Sequence, residues 1–309
     1  MKVFIDGSHG TTGLRIHERL RQRADIHLIT IPFEKRHEID ARRKAYDEAD
    51  LVFTCLPDNA AREAEALADE AGVKWIDTST AHRTAPGWVY GFPELDRREA
   101  IASASKIANP GCHASGMTAL VYPLVQAGIL PKDLKLQCFS LTGYSGGGKK
   151  MIAEYESEGA PELLKSPRMY GLGQTHKHLP EIQAVNGLKY EPVFCPIAAA
   201  YYCGMETLVP VFASDLNGTV EDVRAAYHDF YTGPIVHYED SVDENGYMAA
   251  NKLAGRDDME ISVQGNGERL LLVSRFDNLG KGASGAAIQN MNILMGAAET
   301  AGLNLPGAN

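Results

Sequence analysis

The sequence MKVFIDGSHGTTG, residues 1–13, places a short apolar strand directly in front of a glycine-rich loop. Val3–Ile5 predicts a buried strand, and the loop has the spacing GxxGxxG before a helix predicted over Leu14–Arg23. Such glycines let the backbone turn sharply and approach a pyrophosphate, whose charge then lies at the helix N-terminus. The pattern therefore favours a dinucleotide site over a glycine turn that binds no ligand. The candidate cofactor-binding residues are Gly7, Ser8, Gly10, Thr11, Thr12 and Gly13.

The segment after the second predicted strand indicates which dinucleotide would bind. The strand predicted over Ile26–Ile31 ends without the acidic residue that binds an adenosine 2′-hydroxyl, and Lys35 and Arg36 follow soon after. Two cations at this place favour a 2′-phosphate, and hence NADP over NAD. A solvated charge cluster is the alternative, because Glu34 and Glu38 flank the two cations.

The order of the predicted elements changes along the chain. Strands and helices alternate at first, which predicts an α/β fold with a parallel sheet of Rossmann type and helices on both faces. From about residue 134 strands follow one another, and they end in a hairpin of Met259–Val263 with Leu270–Phe276. This second part is expected to be α+β with an antiparallel or mixed sheet. A last helix is predicted over about Ala283–Ala301.

Composition narrows the class of protein. The chain has 309 residues and a formal net charge of -10, which does not favour a surface for nucleic acid or anionic lipid. Its five cysteines form no CxxC pair, so neither a disulfide framework nor a zinc ribbon is indicated. The sequence shows no signal-peptide layout and no apolar run of membrane-spanning length. We therefore expect a cytoplasmic protein that binds small molecules.

Cys112 follows Asn109-Pro110-Gly111 at the predicted start of a helix. The first turn of a helix offers unpaired backbone N–H groups and the positive end of the helix dipole, and both favour a thiolate. Apolar residues recur at helical spacing from Met117 onward, so this helix can bury one face. Cys112 is therefore a candidate nucleophile. A small buried thiol without chemistry is the alternative.

Two further segments offer polar groups for the same chemistry. The run Gly143–Lys150, predicted as a loop, combines backbone N–H groups with the Ser145 hydroxyl and the Lys149 ammonium, which suits a phosphate or a nicotinamide amide. His176 and His178 would face one side of an extended chain and could exchange protons near neutral pH. We predict no metal site, because no third ligand stands at a recognisable spacing. A bare loop and an exposed histidine pair are the alternatives.

Taken together, these segments resemble the N-acetyl-γ-glutamyl-phosphate reductases of arginine biosynthesis, and in length the shorter branch of that family. The matching segments run in order along the chain: the GxxGxxG of residues 7–13, Asp77-Thr78-Ser79, Tyr90–Leu95, Asn109–Cys112, Ser145-Gly146 with Lys149, His176-Lys177-His178 with Pro180-Glu181, and Asp277-Asn278-Leu279 through Gln289–Asn292.

The resemblance implies two domains and one reaction. Residues 1–112, completed by a C-terminal helix of about 283–309, would form the NADP-binding Rossmann-type domain. Residues 113–282 would form a catalytic and dimerisation α+β domain similar to that of glyceraldehyde-phosphate dehydrogenase. The implied activity is NADPH-dependent reduction of N-acetyl-L-glutamyl 5-phosphate to N-acetyl-L-glutamate 5-semialdehyde through a cysteine thioester. The implied assembly is a homodimer or homotetramer.

The resemblance also implies roles for individual residues. The family nucleophile falls on Cys112, and the catalytic histidine falls in the segment 176–178, most closely on His176. The other implied residues are His178, Ser145, Lys149 and Asn109 for the substrate, and Ser79 and Asn278 for the cofactor. Lys149 and Lys177 stand where the family often has arginine, and Gly147-Gly148 where it often has Ala-Gly. Lysine does not make the bidentate phosphate or carboxylate contacts of arginine.

Other activities fit parts of the pattern. An aspartate-semialdehyde dehydrogenase would share the chemistry and the architecture. A non-catalytic NADP-binding sensor would need the glycine loop but not Cys112. A cysteine hydrolase would use a cysteine and a histidine but gives no reason for the nucleotide loop.

Overall fold

The computed structural model describes residues 1–306, which divide into two compact units. Unit 1 comprises Met1–Pro110 and Ala283–Leu303, and unit 2 comprises Gly111–Gly282 with the described residues from Asn304 onward. The division thus falls two residues before the predicted boundary at residue 112. The C-terminal helix was predicted to about residue 309, and residues 307–309 lie outside the described residues.

Unit 1 alternates strands and helices. Its elements are β1 (Lys2–Asp6), α1 (Thr11–Leu20), β2 (His27–Ile29), α2 (Ile39–Glu48), β3 (Leu51–Thr54), α3 (Asp58–Ala71), β4 (Lys74–Asp77), β5 (Val89–Tyr90), α4 (Arg98–Ser103), β6 (Lys106–Ala108) and, late in the chain, α9 (Gly285–Leu294). Within the described residues the strands form one parallel sheet in the order β2-β1-β3-β4-β6-β5. This confirms the predicted Rossmann-type sheet.

Local sequence accounts for most of these boundaries. Every residue of β3 is buried, as its apolar run requires. Helix α3 ends before Gly72, which takes the left-handed conformation that glycine adopts without strain. Helix α1 begins at Thr11, three residues earlier than predicted, because the carbonyl of Gly10 already accepts the Leu14 N–H. The predicted last helix proves shorter, since regular structure ends at Leu294.

Unit 2 is built on a second sheet. Its elements are α5 (Cys112–Gln126), β7 (Gln137–Gly143), α6 (Gly148–Glu156), β8 (Arg168–Met169), α7 (Leu179–Asn186), β9 (Val193–Ala199), β10 (Met205–Phe212), α8 (Val220–Phe230), β11 (Val236–Tyr238), β12 (Met259–Gly265) and β13 (Arg269–Phe276). Among described residues the strand order is β11-β12-β13-β10-β7-β9-β8, with parallel and antiparallel neighbours. This confirms the predicted mixed sheet. The predicted loop at Gly146–Gly148 is wrong at its end, since α6 starts at Gly148.

Helix α5 lies close against this second sheet. A Cβ at Gly116 would stand 2.3 Å from Thr207 Oγ1, so only glycine allows this approach. Ser274 Oγ donates to the Gly116 carbonyl at 3.1 Å, and Tyr227 Oη donates to the Leu120 carbonyl. These contacts hold α5, and therefore its first residue Cys112, in a fixed place.

None of the helices in the described part of the chain is long and apolar enough to span a membrane.

Candidate active site

A cavity of about 860 Å³ in unit 1 lies beside the glycine loop and the end of β2. Gly7, Ser8 and Gly10 line it, whereas Thr11, Thr12 and Gly13 form the first turn of α1. The first turn of a helix presents unpaired N–H groups that suit a phosphate. The cavity therefore has the size and the chemistry to hold a dinucleotide.

The glycine spacing is a packing requirement of this loop. Gly7 has φ +89°, and a Cβ there would stand 2.4 Å from the Cys55 carbonyl oxygen. A Cβ at Gly13 would stand 2.4 Å from the Gly7 carbonyl oxygen. At Gly10 the nearest atom would be 3.5 Å away, which is ordinary contact. Gly7 and Gly13 thus let the loop fold back tightly on α1.

The cavity lining carries charges of both signs, Arg36 and Arg42 together with Asp6 and Glu63. Arg36 is half-buried and lines the cavity, whereas Lys35 is exposed and is not part of the lining. The Arg36 guanidinium lies 3.7 Å over the Phe33 ring and donates to the Phe33 carbonyl at 2.6 Å. Asp6 also lines the cavity, but Arg42 donates to its Oδ2 from Nε at 3.0 Å and from Nη2 at 2.7 Å. The carboxylate of Asp6 is therefore compensated.

Two other predicted residues of unit 1 lie in a hydrogen-bonded core. Ser79 Oγ donates to Asp77 Oδ2 at 2.6 Å, and Asn109 Nδ2 donates to the Ala283 carbonyl at 3.1 Å. Burial alone would raise the pKa of Asp77, but hydrogen bonds from His82 and from Ser79 hold that pKa below its usual value. Neither Ser79 nor Asn109 lines the cavity.

In unit 2, Cys112 is the first residue of α5 and is half-buried. Gly111 precedes it as the N-cap, and its N–H donates to Glu181 Oε1 at 2.9 Å. A Cβ at Gly282 would stand 2.9 Å from the Cys112 Cβ, so the backbone passes close to the thiol. The first turn of α5 itself carries no acidic residue, and the Glu181 carboxylate is the acidic group bound at the N-cap.

Aromatic rings gather beside Cys112. His113 is 3% exposed, and its Nδ1 and Nε2 lie 2.7 Å from Ser140 Oγ and 2.6 Å from Tyr170 Oη. The rings of His176 and His178 are centred 5.8 Å and 5.6 Å from the His113 ring. Burial, together with the nearby His176, lowers the pKa of His113 to about 3, so this imidazole is neutral. Sequence reasoning missed His113, although its position directly after the thiol was a usable signal.

The two predicted histidines differ in environment. His178 is buried, whereas His176 is half-buried. The His178 N–H donates to His176 Nδ1 at 3.2 Å, so the proton of a neutral His176 lies on Nε2. The Tyr170 ring is centred 5.9 Å from that of His176. Burial raises the pKa of Tyr170, and a charge on Cys112 raises it further, which places the thiol within electrostatic range of this cluster.

Ser145 and Asn278 are also brought together. Asn278 Nδ2 donates to the buried Ser145 Oγ at 3.0 Å, and Asn278 Oδ1 accepts the Gly204 N–H at 2.9 Å. Asn278, predicted for the cofactor, thus holds the loop of Ser145. Lys149 lies exposed in the first turn of α6.

Comparison with known proteins assigns this arrangement to an enzyme family. The model of the semialdehyde dehydrogenase NAD binding domain matches residues 2–104, and that of the semialdehyde dehydrogenase dimerisation domain matches residues 112–278. An N-acetyl-γ-glutamyl-phosphate reductase of Sinorhizobium medicae is 43% identical over 96% of this chain and 99% of its own length. N-acetyl-γ-glutamyl-phosphate reductase 2 of Pseudomonas putida is 44% identical over 97% of this chain and 98% of its own. The chain belongs to the N-acetyl-γ-glutamyl-phosphate reductase family.

A comparison with solved structures shows that this chain shares its fold with a known enzyme. Aspartate semialdehyde dehydrogenase II from Vibrio cholerae superposes with a TM-score of 0.72 over 95% of this chain and 98% of its own, at 19% identity. At that identity the likeness shows the fold alone. The matched family models make the chain an oxidoreductase with a nicotinamide-cofactor domain and a dimerisation domain.

Proposed function

We propose that this chain reduces N-acetyl-L-glutamyl 5-phosphate to N-acetyl-L-glutamate 5-semialdehyde and phosphate, through a thioester on Cys112 and with NADPH as reductant. Family membership supports the reaction. The observation that carries the mechanism is Cys112 at the first residue of α5, beside a ring cluster that contains His176. A thiol and an imidazole in one part of unit 2 support Cys112 as the nucleophile and His176 as its hydrogen-bonding partner in the reaction.

The Cys112 thiolate attacks the acyl carbonyl of the substrate. A carbon–sulfur bond forms, the bond from carbon to the phosphate oxygen breaks, and phosphate leaves with the bonding pair. The positive end of α5 favours the thiolate before the attack and the oxyanion during it. One preorganised donor to such an oxyanion is worth about 3–4 kcal/mol. Backbone N–H groups in the first turn of α5 are the donors that we assign to this task.

His176 is the hydrogen-bond donor to the reacting oxygen in this proposal. The Nε2–H of His176 would stabilise the oxyanion that forms when the thioester is reduced. When the carbon–sulfur bond breaks, the electron pair of the oxyanion forms the aldehyde carbonyl and the sulfur leaves as the thiolate, so this step needs no proton. Two observations support His176 over His178. His176 is partly exposed, and its Nδ1 accepts the backbone N–H of His178, which leaves its Nε2–H for the substrate. His178 is buried and remains our candidate for a substrate contact, together with Ser145 and Lys149. Asn109 holds the loop before Pro110.

NADPH, when bound, supplies the hydride that reduces the thioester. The cavity lined by Gly7, Ser8 and Gly10 would hold its phosphates, and Arg36 would hold the 2′-phosphate that distinguishes NADP from NAD. The close packing at Gly7 and Gly13 fits such a group, because it leaves no side chain between the loop and the first turn of α1. A homodimer or homotetramer completes the proposal, in keeping with the dimerisation-domain match.

Phosphate-dependent reduction of NADP by N-acetyl-L-glutamate 5-semialdehyde tests the proposal. We expect Cys112→Ser to lower this activity by at least about 10³-fold, because serine is not ionised at this site. NADPH binding should persist in the variant. The matched control is Cys195→Ser, which removes another half-buried thiol of unit 2 and should keep full activity. Normal turnover by Cys112→Ser would exclude the thioester, and turnover of aspartate semialdehyde instead would exclude the substrate.

A further inference from the structure

Arg168, the first residue of β8, carries a positive charge that no carboxylate within residues 1–306 balances. Its Nη2 donates to Tyr155 Oη at 3.0 Å, and its guanidinium lies 5.2 Å over the Tyr155 ring. Its Nε is buried and has no hydrogen-bond partner among the described residues. A buried donor on a charged group is costly when it is unpaired. The side chain is therefore arranged for an anion that the chain itself does not provide.

The sheet places Arg168 on the same face as the ring cluster. Arg168 pairs with Ala198 of β9, and the Tyr170 N–H continues the pairing to the Pro196 carbonyl. Side chains two residues apart share a face and lie about 7 Å apart along the strand. Tyr170 contacts His113 on this face, so Arg168 lies on the face that carries the cluster beside Cys112.

The Ser145 loop borders the same row of residues. Thr142, Ala198 and Arg168 are neighbours across β7, β9 and β8. Ala198 lies between Thr142 and Arg168, and its side chain is only a methyl group. A Cβ at Gly146 would stand 3.2 Å from Thr142 Oγ1, so the loop that follows Ser145 reaches this row. Arg168 thus lies between the ring cluster and the loop that we assign to the substrate.

We propose that Arg168 binds the α-carboxylate of the N-acetylglutamyl substrate and so selects an acyl group that carries one. This inference rests on the proposed function. The α-carboxylate lies four bonds, about 5 Å, from the carbon that Cys112 attacks. A group at that distance from the attacked carbon can reach Arg168, which lies two residues before Tyr170 on the same face of the sheet. A guanidinium presents a planar fork that matches a carboxylate with two parallel hydrogen bonds.

The reverse reaction separates the two anions of the substrate, because the semialdehyde carries the carboxylate and phosphate is added separately. We expect Arg168→Met to raise KM for the semialdehyde about 10- to 10²-fold. KM for phosphate and KM for NADP should stay within about twofold of the wild type, because neither ligand contacts Arg168 in this proposal. Arg168→Lys keeps the charge without the fork and should recover part of the loss.

A substrate analogue identifies the group that Arg168 binds. N-(4-oxobutyl)acetamide is the same aldehyde without the α-carboxylate. The wild type should prefer the complete semialdehyde, and Arg168→Met should lose most of that preference. The control is Arg224→Met, since Arg224 is a half-buried arginine of α8 that also contacts a tyrosine hydroxyl, that of Tyr238. It should keep the wild-type preference.

The outcomes are distinguishable. An unchanged preference in folded Arg168→Met, or a rise in KM for phosphate instead, overturns the inference. If Arg168→Met unfolds, Arg168→Gln and Arg168→Lys provide the same comparison of preferences. Failure of the wild type to use N-acetyl-L-glutamate 5-semialdehyde would overturn the proposed function, whatever Arg168 binds.

Discussion

His113 follows Cys112, the proposed nucleophile, yet its burial makes it unsuited to proton transfer. Its two ring nitrogens are engaged with Ser140 and Tyr170, and its pKa of about 3 keeps it neutral at physiological pH. In our proposal the half-buried His176, and not His113, therefore interacts with the reacting oxygen. A residue beside a catalytic group is thus defined by its solvation and partners as much as by its place in the sequence.

The buried imidazole makes stability depend on pH. In the unfolded chain His113 has a pKa near 6.5, and in the folded chain burial lowers it to about 3. The folded state therefore binds fewer protons between these values, so the free energy of unfolding falls as pH falls through this window. Between pH 6 and pH 4 we expect the free energy of unfolding of the wild type to fall with each pH unit. This fall should exceed that of His113→Gln by up to about 1.4 kcal/mol per pH unit.

Urea unfolding of both proteins at a series of pH values measures this difference. His228→Gln serves as the control, because His228 is exposed on α8 and should leave the wild-type profile unchanged. Parallel profiles for the wild type and His113→Gln would show that His113 can be protonated in the folded chain.

At the scale of elements, the glycine loop and α1 depend on one close approach. A Cβ at Gly13 would meet the Gly7 carbonyl oxygen at 2.4 Å, whereas at Gly10 the nearest atom would be 3.5 Å away. We expect Gly13→Ala to lower the free energy of unfolding of the cofactor-free protein by about 1–3 kcal/mol, because α1 must move away from the loop. Gly10→Ala should be close to neutral.

Thermal unfolding without cofactor compares the stability of the two variants. Titration with NADPH then measures the Kd of each variant for the cofactor. Gly13→Ala should weaken NADPH binding as well as stability. Equal stability of the two variants would mean that the loop tolerates a side chain at residue 13, and that the glycine spacing has another cause.

Elements with a clear apolar pattern were predictable, and those without one were not. The strands predicted at Met259–Val263 and Leu270–Phe276 lie within β12 and β13. Helix α2, by contrast, buries only Ala45 and Tyr46, so no apolar stripe marked it. Helix α6 buries no residue, and its start at three glycines indicated a loop. An apolar pattern in the sequence therefore does not mark either helix.

At the scale of the whole chain, the candidate sites of the two units depend on local motifs and on partners distant in sequence. Cys112, His176 and the glycine loop could be proposed from the sequence because each lies in a short segment of recognisable chemistry. Arg168 could not, since its role depends on the pairing of β8 with β9 and on the absence of a carboxylate within residues 1–306. Arg42, which compensates the charge of the Asp6 carboxylate, is 36 residues away in the sequence, so a local pattern does not predict this pair either.

The negative net charge of the chain opposes the binding of anionic ligands. The chain carries a formal charge of -10, yet its proposed ligands are anions, so local cations must attract them against the overall field. Lys35 and Arg36 were both predicted to bind the 2′-phosphate, but only Arg36 lines the cavity. We therefore expect Arg36→Ala to raise Kd for NADPH about 10- to 10²-fold, while Kd for NADH changes little, because a charged hydrogen bond to the 2′-phosphate is lost.

Lys35→Ala is the matched control, since it removes a neighbouring cation of equal charge that is exposed and outside the lining. Fluorescence titration with NADPH and NADH measures both affinities, and the rate of Cys112 alkylation by iodoacetamide reports whether unit 2 is undisturbed. Arg36→Ala should lose its preference for NADPH and keep the wild-type alkylation rate. Equal losses in Lys35→Ala and Arg36→Ala would mean that general charge attracts the cofactor. A parallel loss of NADH binding would mean that Arg36 contacts a group common to both dinucleotides.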